Sequence, residues 1–517
     1  MAIPLHDWTQ PLRVASQRAD PSGVQDAGTV VQAWLLPGMA TVTPNVRYIS
    51  LFTAVRYLRQ QAGDDAAREI PLRELWRRVE ALIAASSVLH HENPDGIPLG
   101  IIGRGYAGEV AKRETIPLAT GLQNPPYNIY RGSLGALGLF DLGTTSDPLY
   151  QSAEALARAW DPDQAGEIGD LLRKGILPPE LPRSVIQPLA GAFCLCRVPD
   201  ASREQQETID LLFGLGSRAE PPSFREDEQN GLGMRMASWR LLLDLVACSE
   251  GRPLQGEHLM ARILEPDVVE GPLIRPLRNS LLVWRWVAAR SFFERGWTVI
   301  FNQTLALLRG AGAGLTSAHL REAAEGTYRR HSNDGVDELL RETRENFRSP
   351  SWLVELFDRK ERRDCLQMIM AGLLAAKQDA EHYGRTILKT LFEGHAIPFG
   401  PEERRLNRAL ANGAPASEFF AEISEDTLIQ HVRTALRKMS QGNPDSLHVD
   451  YDDGRWIVPT KALNWGPLPA SASSRLDIGL GWATQLGLVS RTGQTYALTP
   501  LGWDVRRRWD QENVSWA

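Results

Sequence analysis

A chain of 517 residues exceeds what one hydrophobic core serves, so its length predicts about two to four domains. With 43% hydrophobic and 23% charged residues, it is neither a disordered nor a fibrous chain. A net charge of −6 supplies no global basic field, so any nucleic-acid contact has to come from a local patch.

The opening "MAIPLHDWTQ" has neither a basic n-region nor an apolar h-region, and no apolar run elsewhere is long enough to span a bilayer. The expectation is a cytoplasmic protein with no membrane partner. In "LLPGMATVTPNVRYISLFTAVRYLR", Thr43 suits a helix cap and Pro44 the first helical position, which predicts a helix over 44–61. Val46, Ile49, Phe52, Val55 and Leu58 recur at three-residue steps, and Leu51 widens the stripe into a core face. Arg47, Tyr48, Arg56 and Arg59 stand among these apolar residues as candidates for phosphate contact or for ion pairing at an interface, and the interface is the preferred reading.

A second helix is expected over 71–89, followed by His90-His91-Glu92. Adjacent residues on a helix do not share a face and no H-E-x-x-H occurs, so these read as a polar cluster at a helix end. "GRGYAG", 103–108, matches G-x-G-x-x-G, but Pro98 and Gly100 weaken the preceding strand and no acidic ribose ligand follows. No G-x-x-x-x-G-K-[ST] occurs, which assigns any ATP-driven work to a partner.

The four cysteines do not form a disulfide framework. Cys194 and Cys196 in "GAFCLCRV" can supply two thiolates, but no second Cys/His pair with zinc-like spacing lies nearby in sequence. The expectation is therefore buried thiols, with no metal and no cofactor.

Residues 235–248 and 277–302 read as central helices, with Trp284, Trp286, Phe292 and Phe293 as packing groups. Another helix is expected over 364–393, and breakers in "IPFGPEERRLNRALANGAPASEFF" place a boundary near 420. Glu381-His382 and His331-Ser332-Asn333-Asp334 lack the third group of a triad. The division expected is an irregular, mostly helical 1–225, a helical bundle 226–420 and a C-terminal domain 421–517.

Residues 426–439 read as a helix with a basic end, and Asp453-Gly454 as the turn of a hairpin, a better account of Asp450 to Gly454 than a calcium loop. Beyond it come a helix, "LGLV", a Gly-containing turn, "YALTPLG" and a final helix. Leu486-Gly487-Leu488-Val489 and Tyr496-Ala497-Leu498-Thr499-Pro500-Leu501-Gly502 resemble the winged-helix superfamily over roughly the last 90 residues. The fold class expected is thus mainly α, a multi-domain helical protein with a C-terminal winged-helix (α+β) module.

That resemblance implies that the helix ending near Gln485 enters a DNA major groove, with Arg491 to Gln494 on the wing. Arg475 then reaches bases or phosphates, and Arg437, Lys438 and Arg491 contact phosphates. Asp450, Asp452, Asp453, Asp477 and Asp504 nearly balance the local basic charge, which leaves protein docking equally open, and Arg506, Arg507 and Arg508 can form a solvated face.

The opening stretch, with "PLGIIGRGYAGEVAKRE" and "PPYNIYRGSLGALGLFDL", resembles a family of uncharacterised prokaryotic proteins that share an L-x-P-G…R-x-R-Y-like segment and a later I-Y…G-L…G motif. The likeness covers about the first 145 residues; Arg47 and Tyr48 match, whereas Asn45 replaces the earlier arginine. Such genes often neighbour helicase, nuclease or anti-phage genes. The resemblance implies a subunit or adaptor of a defence or DNA-maintenance system, working with DNA and with partner proteins such as an ATPase or nuclease. A hydrolase with a site assembled from separated segments, and a purely structural docking subunit, are the alternatives.

Overall fold

The apolar stripe that begins at Val46 is buried as far as Val55, with Leu58 half-buried, but its helix starts at Arg47 rather than at Pro44. Tertiary partners take the backbone groups that a first helical turn would use. The Trp482 indole N–H donates to the Thr43 carbonyl at 2.9 Å, and the Gln485 amide donates to the Pro44 carbonyl and accepts from the Val46 N–H, both at 2.9 Å. The Asn45 N–H donates to the Tyr130 hydroxyl at 2.8 Å.

The computed structural model describes residues 31–33, 35–39, 43–91, 112–119, 126–142, 149–196, 198, 200–216, 226–265, 275–347, 349–383, 400–440, 447–463, 466 and 474–513. The "GRGYAG" stretch lies outside them.

The protein is mainly helical. In chain order the helices are α1 (Arg47–Glu69), α2 (Leu72–Leu89), α3 (Pro126–Ala136), α4 (Glu154–Ala157), α5 (Gly166–Arg173), α6 (Arg183–Phe193), α7 (Arg203–Phe213) and α8 (Glu226–Ala247). Then follow α9 (Glu257–Ile263), α10 (Arg275–Ala311), α11 (Ser317–Arg329), α12 (Val336–Asn346), α13 (Pro350–Asp358) and α14 (Arg362–Tyr383). The last are α15 (Gly400–Ala411), α16 (Ala416–Ser440), α17 (Arg475–Gln485) and α18 (Pro500–Asn513). Among the described residues three antiparallel strand pairs accompany them: β1 (Thr115–Pro117) with β2 (Glu180–Pro182), β3 (Asp450–Asp452) with β4 (Arg455–Ile457), and β5 (Val489–Thr492) with β6 (Thr495–Leu498). No helix among the described residues is long and apolar enough to cross a membrane.

Two compact units share the chain: one holds Ala33–Leu254, Gly271–Ser280 and Ser474–Ala517, the other Gln255–Glu270 and Leu281–Ser473. The stretch expected as one C-terminal domain, 421–517, is therefore divided, with α16 and β3–β4 in the second unit and α17, β5, β6 and α18 in the first. Helix α8, expected to open the middle domain, also belongs to the first unit. Ion pairs that tie α8 to α18 explain both placements. Arg240 on α8 forms a two-pronged pair with Asp510 on α18 at 2.9 and 3.0 Å, and Arg506 reaches the fully buried Asp244 at 2.9 Å. Arg508 pairs with Asp210 on α7 at 3.4 Å, so only Arg507 of the expected arginine face stands well out in solvent.

Aromatic packing builds the first unit's core. Phe52 meets Tyr48, Trp76 and Tyr127 with ring centroids 5.2, 5.3 and 5.5 Å apart, and Trp76 stacks on Tyr127 at 4.3 Å. In the second unit, Phe301, Leu305 and Leu308 of α10 pack with Leu428 and Val432 of α16 and with Trp456 of β4. Trp284, Trp286, Phe292 and Phe293 are buried, in keeping with their reading as packing groups. The β3–β4 hairpin turns at Asp453-Gly454, both left-handed with φ of 44° and 74°, the conformation that a tight two-residue hairpin turn requires.

Candidate functional site

Two places in the first unit gather chemistry-bearing side chains. The first is the helix–hairpin–helix at its C-terminal end. Ser474 caps α17 in a reciprocal capping box with Asp477, which fixes where the helix starts. The β5–β6 hairpin pairs Val489 with Leu498 and Arg491 with Tyr496 across the turn Gly493-Gln494, and Gly493 takes the positive φ of 62° at the first turn position. The Leu254 N–H donates to the Gln494 carbonyl at 3.1 Å, which anchors the hairpin tip to its own unit.

Among these elements α17 has no exposed residue. Leu476, Leu480, Trp482 and Ala483 are buried, Gln485 and Trp482 are spent on the 43–46 backbone, and the Arg475 guanidinium donates to the Leu36 carbonyl at 3.1 Å. The Arg475 guanidinium, expected at bases or phosphates, is thus engaged with the unit's own N-terminal segment, while Arg475, Asp477, Ile478, Gly481, Thr484 and Gln485 of this helix are half-buried. The hairpin is different. Ser490, Arg491, Thr492, Gly493 and Gln494 are exposed, with the Arg491 guanidinium 5.8 Å from the Tyr496 ring centroid and bonded to the Gly493 carbonyl at 2.8 Å. On α18, Trp503 is 41% exposed, an unusual place for a large aromatic. Arg437 and Lys438 lie on α16 in the other unit, and their side chains fall outside the described residues.

The opening arginines are interior. Arg47, Tyr48, Arg56 and Arg59 expose 2%, 0%, 7% and 5% of their surface, so they meet their own unit and not a partner. Arg59 donates to the carbonyls of Gly175 and Ile70. Burial and the neighbouring Tyr130 and Glu80 push the Tyr48 hydroxyl far above its usual range. Arg47 pairs with Glu204 of α7 at 3.2 Å, and Ser50 donates to the same carboxylate at 2.5 Å. Its remaining N–H groups donate to the carbonyls of Gly191, Ala192 and Cys194, and so cap the C-terminus of α6.

That cap shapes the second place. Beyond α6 the chain turns through Cys194-Leu195-Cys196, and the Leu195 N–H donates to Ser87 of α2 at 3.2 Å. Helix α2 ends at His90, which caps it, so His91 has already left the helix and the two adjacent rings are free to converge. The His91 Nε2 lies 3.3 Å from the Cys194 Sγ, and the His90 Nδ1 3.8 Å from the Cys196 Sγ. All four ligand atoms fall within 4.8 Å of one another. Cys194 is buried, His91 and Cys196 half-buried and His90 exposed. The hydrogen bond from the Cys194 thiol, together with the two imidazoles, holds the Cys196 thiol well below its usual range, while the same bond and burial push Cys194 up.

Sequence reasoning named all four residues but kept the pairs apart, since each was judged only against its sequence neighbours. Adjacent side chains diverge on a helix, but this helix stops at the first of the two histidines. Elsewhere, Asp334 is bound in an ion pair with Arg363 at 2.7 Å, and the Glu381 and His382 side chains lie outside the described residues. No protein-family model, no curated protein and no solved structure matches the chain.

Proposed function

We propose that this protein is a non-enzymatic adaptor of a bacterial DNA-associated assembly of the phage-defence or DNA-maintenance kind, and that it works through a winged-helix-like module whose wing makes the contact. One observation carries the reading: the inner helix α17 has no exposed residue and commits Arg475 to the Leu36 carbonyl, while the hairpin beside it presents Arg491 and Gln494 to solvent. A recognition helix with no exposed residue leaves no base readout, so the wing's contact with DNA is to the phosphate backbone, through Arg491 as a charge-assisted donor. The exposed Trp503 favours a second reading, in which the same face docks a protein, because aromatic anchors are over-represented in protein interfaces.

Binding of the full-length protein to labelled duplex DNA across a salt series separates the two. Wing contact predicts salt-sensitive binding whose log–log slope falls by about 0.9 when Arg491→Ala removes one phosphate contact. Failure of the intact protein to bind DNA at low salt would sink the DNA contact and leave docking to a protein.

A further inference from the structure

We propose that His90, His91, Cys194 and Cys196 form a closed, structural site for one zinc-class divalent cation. The donor set decides the metal: two thiolates and two imidazoles match tetrahedral zinc and not the oxygen-binding cations. The spacing agrees. Bond lengths of about 2.3 Å to sulfur and 2.0–2.1 Å to nitrogen place the corners of such a tetrahedron roughly 3.3–3.8 Å apart. The two His–Cys pairs already stand at 3.3 and 3.8 Å, and no ligand atom is more than 4.8 Å from another.

The surroundings hold the ligands in place without occupying them. Arg47 and Ser87 fix the Cys-Leu-Cys turn through backbone atoms, so both thiols remain available, and Glu204 in turn fixes Arg47. The exposed His90 edge provides the entry path.

Binding releases the remaining thiol protons to solvent and leaves a site of zero net charge, two thiolates against one dication. Four protein ligands leave no open position, so the role is structural: the ion ties the end of α2 to the end of α6. No change in the oxidation state of any group is involved.

The test uses the full-length, tag-free protein purified under reducing conditions from zinc-supplemented medium. The expected result is one zinc per chain by elemental analysis. Replacing it with cobalt(II) gives visible bands of a tetrahedral centre and a thiolate-to-cobalt charge-transfer band. Cys196→Ser and His90→Ala, at the two more accessible ligands, lose stoichiometric metal and the charge-transfer or tetrahedral signature, while far-ultraviolet circular dichroism shows that they remain folded. Cys248→Ser, away from the site, retains both. Metal-free protein with no cobalt spectrum would overturn the proposal, as would a cobalt spectrum unchanged in Cys196→Ser or a Cys194–Cys196 disulfide in the reduced preparation.

Discussion

Glu80 offers the sharpest test of the first unit's core. It is 2% exposed on α2, accepts a hydrogen bond from the Tyr127 N–H, and lies near the buried Tyr48 and Arg77. Burial raises its pKa from 4.5 to about 7, against the lowering effects of that hydrogen bond and of Arg77. Below pH 4.5 the group is protonated in both folded and unfolded chains. Between 4.5 and about 7 the unfolded chain ionises while the folded one holds its proton, so stability falls as pH rises through this window and levels off above it. At 1.36 kcal/mol per unit, the loss from the acid limit is about 3 kcal/mol. Glu80→Gln keeps an acceptor for Tyr127 and cannot ionise. Urea unfolding of parent and variant at pH 5 and pH 8 should therefore show the variant's relative stability rising by about 2–3 kcal/mol between the two. A difference that does not change with pH would refute a carboxyl held neutral by burial.

Two further substitutions probe the scaffold of the sites. Arg47→Leu strands the buried Glu204 carboxylate and should cost about 3–5 kcal/mol in denaturant unfolding, with part of that recovered in Arg47→Leu/Glu204→Gln. An additive double variant would contradict the pairing. Gly502→Ala places a Cβ 2.1 Å from the Leu488 carbonyl oxygen and should destabilise by about 1–3 kcal/mol, as read by urea midpoint; an unchanged midpoint would contradict the close approach of α18 to the hairpin.

Local patterns were the legible part of this chain. Asp453-Gly454 specified its own turn, and the Val46 to Val55 stripe its own burial. Long-range partners were not legible. Nothing within a few residues of Thr43 and Pro44 foretold that Trp482 and Gln485, more than four hundred residues away, would claim their carbonyls and delay the helix to Arg47. Arg475 looked like a free cation because its partner, the Leu36 carbonyl, lies 439 residues upstream. The His–Cys cluster failed for the same reason: its halves are 103 residues apart, and each half alone is weak evidence for a metal. In each case the decisive contacts come from segments far apart in the chain that the fold brings together.

The central proposal is that the β5–β6 hairpin, and not helix α17, is the face this protein offers to a partner. Amide hydrogen exchange of the full-length protein with and without saturating duplex DNA reads both segments in one experiment. The account predicts slowed exchange in peptides covering Val489–Leu498 and no change across Arg475–Gln485. Slowed exchange confined to Arg475–Gln485, or bound DNA with the hairpin unaffected, would contradict it.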